Sequence, residues 1–81
     1  MNLAYEELLD FMTSGPSLEQ IIKFEHSPQT LERVAYLMTA ESTGEIKLEE
    51  KEELREFQKA AYFVDQLKIR AQRRLQPGDG R

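Results

Sequence analysis

The sequence contains no cysteine and a single histidine, His26. Disulfides, thiolate zinc sites and a catalytic thiol are therefore excluded. No apolar run approaches the roughly 20 residues a membrane helix needs. The first residues, MNLAYEELLD, carry acids where an export signal carries Lys or Arg, so a cytoplasmic protein is expected. Only four glycines and three prolines are present, and they fall between helical patterns rather than inside them. No stretch alternates apolar and polar residues as a half-buried strand would. What remains is 81 residues, 40% hydrophobic and 32% charged, which is one domain with a soluble balance.

Four helices are legible. Tyr5, Leu8, Leu9 and Met12 form an apolar stripe on a helix from Asn2 to Thr13, widened by Leu3 and Phe11, and Ser14-Gly15-Pro16 ends it. Ser17 and Gln20 form an S-x-x-Q capping box for a short helix from Leu18 to Phe24 or Glu25. Ser27 is the N-cap and Pro28 the first residue of a third helix, which runs to about Ser42 and stops at Gly44. Its stripe is Leu31, Val34, Ala35 and Met38. The fourth helix, Leu48 to Leu75, has no interior Gly or Pro and is rich in strong helix formers. Leu54, Phe57, Ala61 and Val64 form its stripe, with Ala60, Phe63 and Leu67 beside it. The fold class expected is all-α: three short helices packed on one long C-terminal helix, residues 1–75 as one domain. The tail, 76–81, has no apolar residue and is expected to be disordered.

The net charge is −4, unevenly placed. Residues 1–44 carry −5, residues 45–67 carry −3, and residues 68–81 carry +4. Bases at a helix end suit the macrodipole, so Arg70, Arg73 and Arg74 have a structural reason to be there. The same bases could meet phosphates, but the acidic body repels a polyanion. A helix-turn-helix over residues 18–42 would read bases with Gln29, Thr30 and Arg33. Its charge disfavours it.

No enzyme is legible. His26 has no nucleophile with an orienting partner near it in the sequence, and a solvent-exposed turn ring is expected. The i, i+4 carboxylate pairs Glu6–Asp10 and Glu49–Glu53 read as solvated helix faces. No metal or other cofactor is implied, because H-x-x-x-H and E-x-x-H patterns are absent.

The segment Gly15-Pro16-Ser17-Leu18-Glu19-Gln20-Ile21-Ile22-Lys23-Phe24, then Ser27-Pro28 and a helix with Leu31, Val34 and Leu37, resembles a family of short bacterial, often cyanobacterial, all-helical proteins. Gly44-Glu45-Ile46, the Glu-rich stretch 49–54 and Leu67-Lys68-Ile69-Arg70-Ala71 extend the resemblance to about residue 75. It implies an antitoxin-like or accessory role beside a small nuclease. One departure stands at the long helix: the family places Ser or Thr before Pro there, and this chain has Lys47-Leu48. Lys47 cannot cap as Ser would, so a frayed or shifted start is expected.

The fourth helix is nearly twice the third in length, so its last third is expected to overhang and want cover. The functional expectation is a non-catalytic protein-binding module. Tyr62, Leu67, Ile69, Ala71 and Leu75 would dock, while Lys68, Arg70, Arg73 and Arg74 steer towards an acidic partner. A homodimer through the long helix and a nucleic-acid regulator using the basic end are the alternatives.

Overall fold

A computed structural model describes residues 3–76. The described residues form four helices and no strand: α1 (Leu3–Thr13), α2 (Leu18–Ile22), α3 (Pro28–Thr43) and α4 (Leu48–Leu75). Asn2, the expected first residue of α1, and the tail beyond Gln76 lie outside the described residues.

The starts of α2 and α3 carry their expected devices. The Ser17 hydroxyl accepts from Gln20 N–H at 3.1 Å, and Gln20 Oε1 accepts from Ser17 N–H at 2.9 Å. Ser27 accepts from Thr30 N–H at 3.2 Å, with Pro28 next in the helix. At α4 the expected fraying is corrected. Lys47 contributes no side-chain cap, but Glu50 Oε1 accepts from Lys47 N–H at 3.0 Å. Half a capping box suffices to start the helix at Leu48.

α2 ends at Ile22, two or three residues earlier than expected. Phe24 leaves the helix and places its ring 4.6 Å from that of Phe11 on α1. Two turns of helix have little stability of their own, so this tertiary contact outweighs propensity.

Gly44 turns α3 into α4 with φ +77°, and two bonds close the α3 end: Glu45 N–H to Ala40 O at 2.9 Å and Gly44 N–H to Glu41 O at 3.2 Å. This is a Schellman motif. A Cβ at Gly44 would meet no atom within 4 Å, so any cost of a side chain there is backbone strain alone. Gly44→Val should destabilise by about 1–2 kcal/mol in urea titration, and Gly44→Asn by much less. Equal stability of the two variants would mean the left-handed turn is not required.

α1, α2 and α3 all pack on α4. The central cluster joins Ala4, Leu37, Leu54, Phe57 and Ala60, with Tyr5, Val34 and Ile46 against it. Ala4 and Ala60 are fully buried, and their small side chains let α1 lie close to α4. The α3 stripe is rotated from the sequence expectation, whereas on α4 Leu54, Phe57 and Val64 are buried as expected. On α3 the buried residues are Thr30, Leu37 and Ala40, while Leu31, Ala35 and Met38 are exposed. On α4, Ala60 is buried and Ala61 exposed. Adjacent apolar residues leave the helix two choices, and packing against Ala4 of α1 selects Ala60. Phe63, expected in the core, is 54% exposed.

Candidate protein-docking site

α4 presents one side to the other helices and leaves the opposite side open. The inner side carries Leu54, Phe57, Ala60, Val64 and Ala71. Seven residues are close to two helical turns, so Val64 and Ala71 share a row. Ala71 is therefore 2% exposed and out of reach of a partner, which corrects its expected docking role. The overhang expectation changes with it, because the last third of α4 is covered from inside as far as Ala71.

The outer side holds most of the remaining expected docking residues. Tyr62 is 66% exposed. Ile69, Arg70, Arg73, Arg74 and Leu75 are exposed, and Leu67 and Lys68 are half-buried. Tyr62, Phe63, Gln66, Leu67 and Arg70 line a shallow cleft of 360 Å³. A second cleft, of 570 Å³, lies over Ile69, Gln72, Arg73, Leu75 and Gln76. The structure thus adds Phe63 and Gln66, which sequence reasoning assigned to no site. Their signal was present: Phe63 lies about 100° round the helix from Val64, so both cannot face one narrow core.

Charge on α4 is sorted by side as well as by end. Arg55, Lys59, Arg70, Arg73 and Arg74 are exposed on the outward half. The acids of that half are Glu52, Glu56 and Asp65, and Glu56 is 3.5 Å from Lys59 Nζ. The linear count placed basic charge at the chain's end; the helix extends it along the outer face.

Two polar networks hold the scaffold. Glu7 Oε1 accepts from Ser27 N–H at 3.1 Å and lies 3.0 Å from His26 Nδ1. A carboxylate can only accept, so His26 carries its proton on Nδ1. Ser27 Oγ donates to Glu7 Oε2 at 2.5 Å. Burial alone would raise the Glu7 pKa, but the donors from Ser27, His26 and Thr30 outweigh it and hold the carboxyl at about 2. The expected solvent-exposed His26 is corrected: its side chain is 16% exposed and its ring sits edge-on to Phe24, centroids 5.0 Å apart.

In the second network Arg33 grips Glu53 with both arms, Nε to Oε2 at 2.9 Å and Nη2 to Oε1 at 2.8 Å. The Arg33 hydrogen bond pulls the Glu53 pKa below the usual carboxylate range. Glu53 is thus no free member of a solvated Glu49–Glu53 pair. The helix-turn-helix reading falls with these contacts. Thr30 is 1% exposed and Arg33 is paired with Glu53, so one of its three base readers is buried and a second is already neutralised.

Among the described residues no group of three His, Asp or Glu side chains converges as a metal site requires. No helix among them is long and apolar enough to cross a membrane. Comparison with family models, curated proteins and solved structures finds no match to this chain.

Proposed function

We propose that this protein is a non-catalytic binding module of the cytoplasm, and that the outer side of α4 recognises an acidic partner protein. The supporting observation is the pair Tyr62 and Phe63, both more than half exposed, sharing one cleft with Arg70. Tyrosine and arginine are the residue types that most often anchor protein interfaces. Arg55, Lys59, Arg73 and Arg74, exposed along the same helix, would speed encounter with an acidic surface. The family resemblance makes a small nuclease the partner, in an antitoxin-like pairing.

A nucleic-acid reading of the same face rests on the aromatics lying among bases, which is how single strands are held. The acidic remainder of the chain weighs against it. Affinity capture with the intact chain and with Tyr62→Ala/Arg70→Glu separates the readings. A stoichiometric acidic protein should accompany the native chain, with the double variant binding it about thirtyfold or more less tightly. Equal capture by both would sink the proposal. Material lost on nuclease treatment, with a steep salt dependence, would favour the nucleic-acid reading.

A further inference from the structure

α3 and α4 enclose a second apolar surface, away from the outer side of α4. Leu31, Val34 and Met38 from α3 face Leu54, Phe57 and Ala61 from α4 across a groove of 260 Å³. Ala4, His26 and Gln58 complete its lining. None of these nine residues is Lys, Arg, Asp or Glu, although 32% of the chain is charged. A neutral patch of this extent on so charged a chain is unusual for surface that faces only water. Leu31 is 51% and Met38 56% exposed, so the groove has apolar knobs on its own rim.

The charges flanking the patch specify its occupant. Lys51, Gln58 and Asp65 follow at intervals of seven residues and lie on one row of α4 beside the groove. Lys51 and Asp65 are exposed, and neither forms an ion pair with another described residue. They stand at equal distances on either side of Gln58, about 21 Å apart along the axis. An antiparallel α4 with its two-fold axis at Gln58 brings Lys51 opposite Asp65 of the second copy, and Asp65 opposite its Lys51. Both pairs are of opposite sign. A two-fold interface must be self-complementary in this way.

We infer that the α3–α4 groove is the contact surface of a symmetric dimer of this chain, with antiparallel α4 helices crossing near Gln58 and Leu31 and Met38 entering the opposite groove. Two α3–α4 hairpins then form a four-helix arrangement. Each chain carries −4, so general electrostatics oppose self-association. A neutral contact with two reciprocal ion pairs is the arrangement that overcomes this repulsion. The part of the outer side that carries Phe63, Leu67 and Arg70 stays free, so the dimer presents two partner faces.

The test is the mass of the full chain in solution by sedimentation velocity across a concentration series. The native chain should sediment at twice its 9.5 kDa at tens of micromolar. Met38→Glu should give the single-chain mass with an unchanged far-UV circular dichroism spectrum, since Met38 is mostly exposed. Lys51→Asp and Asp65→Lys should each weaken the dimer about tenfold, and the double variant should restore it. These charge changes lie on exposed positions and test the register even if Met38→Glu disturbs folding. A single-chain mass for the native protein at every concentration overturns the inference. So does a dimer indifferent to Met38→Glu and to the charge swap, because it would then use another face. A monomer that loses a different protein on Met38→Glu assigns the groove to that protein and also overturns it. None of these results bears on Tyr62 and Arg70, so this inference and the proposed function fail separately.

Discussion

Leu37→Ala is expected to lower stability by about 3–4 kcal/mol. Leu37 is the largest apolar side chain with no exposure, and it sits where α1, α3 and α4 meet. Its removal loses the burial of the side chain and leaves a cavity that helices fixed by caps cannot close. A domain of this size holds only about 4–12 kcal/mol in all. The melting temperature should therefore fall by about 12–30 °C. Leu31→Ala, one helix face away and half exposed, should cost well under 1 kcal/mol at concentrations that keep the chain single. Urea titration of the two variants side by side decides the rotation of α3. Equal losses would show that α3 does not bury the Leu37 face.

The second large effect centres on Glu7. Glu7→Ala should cost about 2–3 kcal/mol at neutral pH, because three donors lose their acceptor at once: Ser27 N–H, Ser27 Oγ–H and His26 Nδ1–H. The acid dependence gives a sharper signature. The Glu7 carboxyl is held at about 2 in the fold against 4.5 ordinarily. A depressed carboxyl binds fewer protons folded than unfolded, so its contribution is complete above pH 4.5. It is lost as pH falls from there towards 2. Glu53, lowered by Arg33, contributes in the same direction. Glu7→Gln should flatten the acid limb of the stability profile between pH 4.5 and 2. An unchanged limb would mean the network does not hold the carboxylate ionised.

The two predictions mark the boundary of what the sequence reveals. Helix ends are local, and Ser17, Gln20, Ser27, Pro28 and Gly44 announce them within a few residues. The choice of buried row is not local. α3 carries two apolar rows, and only contact with α1 and α4 selects Leu37 over Leu31 and Met38. Thr30 looks polar in a sequence, yet it is buried because Ser27 satisfies its hydroxyl. Glu7 and His26 are 19 residues apart, a separation that no periodicity encodes. Glu7 does lie three residues after Ala4 and four before Phe11, on the flank of the buried face, and that was its one visible clue. Of the candidate site, Tyr62 and the bases were legible from type and spacing. Phe63 was legible only through its 100° offset from Val64, against the default that puts an aromatic of a long helix in the core.

The three short helices all rest on a helix that follows them in the chain. During synthesis, then, residues 3–46 emerge before the surface that organises them exists. The 28 residues of α4 take about 1–6 s to add at ordinary elongation rates. Through that interval Leu8 and Leu37 have no α4 to shelter them, and the nascent chain presents its future core to chaperones and proteases. Release of α4 converts that chain to a folded one in a single late event.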